Sequence, residues 1–414
     1  MKTLSIDHSQ LIDELKHLAT FSDAPTPAVT RIIFTQPDLA ARKFLIERFK
    51  AAGLTIRIDA VGNIFARWVG TDPELPAIGT GSHTDAIPHA GMYDGTVGVL
   101  GGLAAIRALQ AADFKPKRSI EVLMFTSEEP TRFGLGCLGS RLLCDAIPLE
   151  RVSALRDKGG ESLDDARAAD GLFEPLSTVK LPKDYYAKFV ELHIEQGPEL
   201  EAKKIDIGAV TAIAAPSALR MTLEGSGGHA GATLMPGRRD AFLAAAEIAL
   251  AVEKAALTSG SPDSVGTTGV CKVHPGAVNS IPSRVELEID IRDTQLKSRD
   301  GMVEQVRAAA NEICARRKIS LTVEILNADP PAICDPAIVT AVENACKATN
   351  LTHQRMVSRA YHDSLFMARI CPTAMIFIPC YKGYSHRPDE YASPEAITNG
   401  TLILAHTLAE LSAS

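Results

Sequence analysis

The chain has 414 residues, 46% of them hydrophobic and 22% charged, with a formal net charge of −7. That length exceeds what one core ordinarily organises, so two domains are expected, and the composition is that of a folded chain rather than a disordered one. An acidic balance without a Lys/Arg stripe argues against nucleic-acid binding, which depends on phosphate neutralisation. No run of about 18 apolar residues occurs, so no membrane span is expected. Asp7, Asp13 and Glu14 interrupt the N-terminal apolar pattern, so there is no signal-peptide core, and the expected location is cytoplasmic. The eight cysteines are scattered without a Cys-x-x-Cys, which suits reduced thiols.

In chain order, helical spacing predicts helices over 8–20 and 37–52. Leu54–Ile58 and Asn63–Trp68 read as a strand pair around Ala60-Val61-Gly62. Pro76–Thr80 leads into GSHTDAIPHAGMYDGTVG at 81–98, followed by a helix to about Gln110. Ser119–Phe125 is a continuous apolar run, as in a strand buried on both faces, and Phe189–Leu192 is a short strand ending at His193. Alternating strands and helices argue for an α/β sheet, and such sheets place ligands at strand ends. Near residue 208 the pattern changes. Strands at 219–225 and 265–273, a helix at 240–256, a strictly alternating strand at 285–291, a helix at 302–316 and a strand at 320–325 read as a small α+β domain. Helix 336–349, strand 373–379 and helix 394–411 then resume the α/β pattern. The expected division is 1–209 with 327–414 as one discontinuous catalytic domain and 210–326 as an insertion.

The polar residues at the predicted strand ends carry the chemistry. His83, Asp85 and Asp94 bring one imidazole and two carboxylates to one loop, a donor mixture that suits divalent metals. Asp85 is close enough in sequence to fix the His83 tautomer. Glu128 and Glu129 follow a buried strand, where paired carboxylates are costly unless a cation balances them and the two have different tasks. The alternative is a charged pair at a helix start. His193 also follows a strand, although Glu191, His193 and Glu195 could equally be the polar face of an edge strand. His386 lies in a loop after an apolar strand. In the insertion, His229 sits in the glycine-rich turn Gly225–Gly231, where it could meet substrate on domain closure. Arg292 could fork onto a carboxylate or pair with Glu288 or Asp290, and Asn279 precedes Ile281-Pro282.

Together GSHTDAIPHAGMYDGTVGVLGG, FTSEEPTRFG, ELHIEQGPELE, GSGGHAGATLMPGRRDA, HPGAVNSIPSRVELEIDIRD and YKGYSHRPDEY resemble the M20-type metallo-amidohydrolases. The branch is the one containing N-carbamoyl-amino-acid hydrolases, allantoate amidohydrolases and ureidoglycolate amidohydrolases, and the motifs run in order from about residue 8 to 411. The resemblance implies an α/β catalytic domain with a central mixed, mostly parallel sheet and a two-metal site, plus an inserted smaller α+β lid and dimerisation domain. It implies that His83, Asp94 and His193 hold one ion and Asp94, Glu129 and His386 the other. Asp85 would orient His83, and Glu128 would be the general base. His229 would reach the other subunit's site in a homodimer. Gln196, Asn279, Arg292 and His362 would contact substrate. The two ions per subunit are expected to be Mn2+, with Zn2+, Co2+ or Ni2+ as alternatives.

One loop departs from the carbamoylase and allantoate pattern. Where those enzymes usually carry Ser-Gly-Ala-Gly-His-Asp, this chain has Ser358-Arg359-Ala360-Tyr361-His362-Asp363, which looks like the ureidoglycolate type. Arg359 and Tyr361 are expected to fill the pocket and add donors for a small ureido acid. The implied reaction is cleavage of the ureido C–N bond of ureidoglycolate to glyoxylate, ammonia and CO2, in allantoin and purine catabolism. N-carbamoyl-L-amino acids, β-ureidopropionate and allantoate are the alternative substrates.

Overall fold

The computed structural model describes residues 3–413. They form two compact units: one of 3–211, 334–356 and 362–413, the other of Ala212–Ile333 with Val357–Tyr361. Residues 327–333 and 357–361 thus go with the second unit, outside the span 210–326. Backbone and side-chain bonds explain why: Ala214 N–H donates to the Ser358 carbonyl at 2.8 Å, and the Tyr361 hydroxyl donates to Asp329 at 2.7 Å.

The first unit is built on a mixed sheet. Seven of its strands run in the order Ile207–Ile213, Thr373–Ile378, Tyr186–Ile194, Ala77–His83, Ile120–Phe125, Ile64–Trp68 and Thr55–Ile58, and His353–Ser358 also pairs with Ile207–Ile213. Only the four from Thr373–Ile378 to Ile120–Phe125 are mutually parallel; the pairings outside them along that order are antiparallel. The parallel part is therefore a central block of four strands flanked by antiparallel pairings, a mixed sheet as expected. The four strands are almost wholly buried, which accounts for their near-continuous apolar runs. The strand through His193 is central, so the edge-strand reading of Glu191, His193 and Glu195 is corrected. Thr96–Ala111 packs on the sheet beside Pro394–Ser412, which in turn meets Pro336–Thr349. A separate apolar cluster takes Phe65, Leu123, Phe125 and Phe189 from the strands and Leu138, Leu142, Leu163 and Leu176 from the long connection between Ile120–Phe125 and Tyr186–Ile194. Helix starts follow local capping chemistry. Ser393 accepts from Ala396 N–H and Asp335 from Ala337 and Ile338 N–H, each followed by Pro at the first helical position.

In the second unit a four-stranded antiparallel sheet runs Val265–His274, Arg284–Asp293, Ala215–Glu224, Ser320–Ala328. Alternation decides its faces. Val285, Leu287, Ile289 and Ile291 are buried under the helices Ala241–Leu257 and Leu296–Arg317, while Glu286, Glu288, Asp290 and Arg292 point the other way. Several strands escape the sequence pattern, among them Val29–Arg31, Ala86–Ala90, Ile207–Ile213 and His353–Ser358. Among the described residues no helix is long and apolar enough to cross a membrane, and all eight cysteines are free thiols.

Gly81 in the strand Ala77–His83 has φ +141°, and a Cβ there would lie 1.9 Å from the Leu123 carbonyl oxygen on the neighbouring strand. Gly81→Ala is expected to cost about 3 kcal/mol or more, read as a lowered urea midpoint. An unchanged midpoint would contradict this packing.

Candidate metal centre and active site

Parallel strands share one C-terminal edge, and that edge gathers the site. His83 ends its strand, His193 is next to last in its own, and Glu128 and Glu129 follow Ile120–Phe125. In register His83 lies opposite Phe125 and His193 opposite Phe377. His386 follows Thr373–Ile378 in a loop, with φ +59°. Asp94 stands before the helix Thr96–Ala111. Gly95, with φ +67°, turns the chain where a Cβ would come within 2.5 Å of the His83 ring.

Asp94 is the shared member. Its Oδ1 lies 3.3 Å from His83 Nε2 and 3.1 Å from His193 Nε2, and its Oδ2 lies 3.4 Å from His386 Nε2. His386 Nε2 is 3.2 Å from Glu129 Oε1. Two donor triads result, His83–Asp94–His193 and Asp94–Glu129–His386, each with ligand atoms within 4.8 Å of one another. The far side of each strand imidazole is already engaged: His83 Nδ1 with the Asp85 carbonyl at 3.0 Å and His193 Nδ1 with the Ile194 carbonyl at 2.9 Å. With Nδ1–H donating, Nε2 is the face turned to a cation: that of His83 keeps its lone pair, while that of His193 accepts Gly95 N–H at 3.1 Å, a contact a metal would have to displace. The donor set therefore fits a divalent metal in each triad.

Asp85 acts on His83 through its main chain, because its carboxylate is 3.7 Å from Nδ1. That carboxylate instead accepts Glu128 N–H at 3.2 Å and Glu129 N–H at 3.0 Å, and so it sets the backbone of the acidic pair.

Electrostatics show how tightly this buried cluster is bound together. Burial opposes charge on Asp94, yet its bonds to His193, His386 and His83 hold it well below the usual carboxylate range. Burial also opposes charge on His83, but the carboxylates of Glu128, Asp85 and Asp94 raise it well above the ordinary imidazole value. His386, bonded to Asp94 and Glu129, is pushed up to about 11. Burial holds Glu128 well above the carboxylate range; His83 pulls it back while Glu129 pushes it further up. Protons on the imidazoles and metal cations are competing ways to neutralise the same carboxylates.

Other expected site residues fall into two groups. In the first unit, Gln196 has φ +54°, donates to Asp94 Oδ2 at 2.7 Å and to Ser385 at 3.1 Å, and leaves its own Oε1 without a partner. His362 is buried, with its ring 4.6 Å from that of His193. In the second unit, Gly228–His229 pairs with Ser280–Ile281, and Ala230 N–H donates to the Asn279 carbonyl at 2.8 Å, so His229 and Asn279 are neighbours. His229 Nδ1 accepts from Gly231 and Ala232 N–H, both at 3.1 Å, which puts its proton on Nε2. Arg292 pairs with Asp290 at 2.8 and 3.1 Å, one of its two expected pairings, and also donates to the Arg359 carbonyl at 3.1 Å. Arg359 and Tyr361 spend their polar ends on Asp263 and Asp329, both at 2.7 Å.

Several residues at the site were not singled out by sequence. Glu390 accepts Tyr93 and Asp94 N–H at 2.9 and 3.1 Å, and its other oxygen accepts the Ser385 hydroxyl at 3.1 Å. Its place four residues after His386 is the one available signal. Glu191, behind His193, accepts the hydroxyls of Ser82 and Ser364, both at 2.6 Å. Asp363 is fully buried and is pushed up to about 8 by burial and by Glu191. The Cys137 thiol donates to Glu128 at 3.5 Å.

Residues 79–410 match Peptidase family M20/M25/M40. The ureidoglycolate hydrolase of Arabidopsis thaliana is 53% identical, over 99% of this chain and 88% of that one. The N-carbamoyl-L-amino-acid amidohydrolase of Paenarthrobacter aurescens is 36% identical over 96% of each. The crystal structure of AtUAH in complex with glyoxylate superposes with a TM-score of 0.90 at 53% identity, covering 99% of both chains. With a family match over most of its length and relatives this similar from end to end, the chain belongs to the M20/M25/M40 family of metal-dependent hydrolases.

Proposed function

We propose that the protein is a metal-dependent amidohydrolase that cleaves the ureido C–N bond of ureidoglycolate. The observation that carries this reading is Asp94, one carboxylate shared by two donor triads with Glu128 beside them, in a chain 53% identical to a ureidoglycolate hydrolase. Residues His83 and His193 would hold one ion, Glu129 and His386 a second, and Asp94 both. Bound there, the ions supply Lewis acidity to the ureido carbonyl and to the attacking water. Mixed N/O ligation without thiolate does not demand zinc and admits Mn2+.

The chain's own groups do the rest. Glu128, with Oε2 3.7 Å from His83 Nε2, takes a proton from the attacking water and passes it to the leaving nitrogen. Asp85 fixes the Glu128 main chain. His229 presents Nε2–H as a donor for the tetrahedral oxyanion, and in a homodimer it would serve the other subunit. Three of the five Arg292 N–H groups are taken up by Asp290 and the Arg359 carbonyl, leaving one on each terminal nitrogen for a substrate carboxylate. Gln196 Oε1, still without a partner, is available to a ureido N–H.

The deciding test measures ammonia release with Mn2+ from ureidoglycolate, N-carbamoylglycine, an N-carbamoyl-L-amino acid, β-ureidopropionate and allantoate. Ureidoglycolate should lead clearly; preference for an N-carbamoyl-L-amino acid would replace this substrate while keeping the reaction class. Glu128→Gln should retain metal and melting temperature but lose on the order of 10²–10⁴-fold in kcat, and near-wild-type turnover would reject Glu128 as the base. Because the free imidazoles are raised, Mn2+ must displace protons, so its affinity should rise with pH between about 6 and 9. Calorimetry in buffers of different ionisation enthalpy should show net proton release; a buffer-independent heat would contradict the proton–metal competition.

A further inference from the structure

Large polar side chains in a loop must be either solvated or tied down, and here they are tied. Val357–Tyr361 carries Arg359 and Tyr361, and each reaches a different aspartate of the second unit. Both aspartates are themselves anchored. Asp263 accepts from Thr294 Oγ1 at 3.5 Å, and its neighbour Ser264 donates to the buried Asp293, which caps the approach to helix Leu296–Arg317. Asp329 is buried, and its carbonyl accepts from the fully buried Arg299 of that helix. The Arg359 carbonyl in turn receives Arg292 Nη1. The segment that leads into this helix thus supports Asp263 and the helix itself Asp329, the aspartates hold the loop, and the loop fixes one edge of Arg292. Immediately after Tyr361 the chain enters the first unit at His362.

We infer that Asp263 and Asp329 are positioning residues for substrate selection: they fasten Val357–Tyr361 as a strap that holds Arg292 in one fixed geometry for the ureido acid. Arg359 is then an anchor of the strap rather than a direct substrate contact. The inference rests on the ureido-acid reading above. A fixed strap lowers the conformational cost of binding a small substrate and leaves the bond-breaking groups untouched, so it acts on KM more than on kcat.

The test uses full-length Asp263→Ala and Asp329→Ala, with Arg359→Met to remove only the guanidinium and Asp263→Glu to keep the charge. Each loss variant should raise KM for ureidoglycolate about tenfold with kcat changed less than about threefold. Amide exchange across 357–361 should accelerate, melting temperature and Mn2+ content should hold, and Asp263→Glu should restore KM. A purely structural role would move melting temperature and kcat together. Unchanged KM and unchanged exchange, beside an active wild type, overturn the strap. If another ureido acid is the better substrate, its KM reads the strap equally. If no ureido acid is turned over the functional reading fails, and exchange across 357–361 alone decides the strap.

Discussion

One buried carboxylate faces three imidazoles. Asp94 meets His83 and His193 through one oxygen and His386 through the other, with contacts of 3.1–3.4 Å. An uncompensated buried carboxylate costs several kcal/mol, so this arrangement persists only where positive charge is concentrated, as imidazolium or as metal. Much of the surrounding structure keeps Asp94 in place. Glu390 grips its peptide N–H, Ser385 and Gln196 reach its outer oxygen, and Gly95 permits a turn that brings it against the His83 ring. Removing any of these would leave the sheet intact while loosening the point on which both donor triads depend.

The two units contribute different kinds of order. In the first, parallel strands buried on both faces give a rigid edge, and imidazoles near that edge inherit its precision through main-chain carbonyls at Nδ1. Such support suits bond-breaking groups, where small displacements are costly. In the second, the corresponding groups stand on a strand pair, an exposed sheet face and a strap held by ion pairs and hydrogen bonds. Interactions of that kind are partly exposed and individually modest, so the groups they hold are less rigidly placed than those on the strand edge.

How legible this was depended on the range of the interaction concerned. The strand through Val285–Ile291 could be assigned because alternation is a local property of a sheet with one buried face, and its odd positions are buried as that pattern requires. Helix 336–349 was bounded by Asp335 and Asn350, which cap it through their own neighbours. His353–Ser358 and Val29–Arg31 were not legible, since short strands owe their existence to distant partners. Which strands form the central parallel block was not legible, because a strand's apolar run reports burial and not the direction of the strand beside it.

At the candidate site the sequence by itself determined the donor inventory: His83, Asp94, Glu129, His193 and His386, with Glu128 beside them, at the ends of strands. Residue type and position after an apolar run are properties of short segments, so one sequence can carry them. Only the tertiary structure decided how those donors are held. It set the Asp85 carboxylate on two peptide N–H groups while leaving it 3.7 Å from the imidazole, placed Glu390 under Asp94 across nearly 300 residues, and directed Arg359 and Tyr361 to Asp263 and Asp329. A hydrogen-bond partner is chosen by proximity and angle after the chain has folded, and neither quantity is written in the spacing of residues along it.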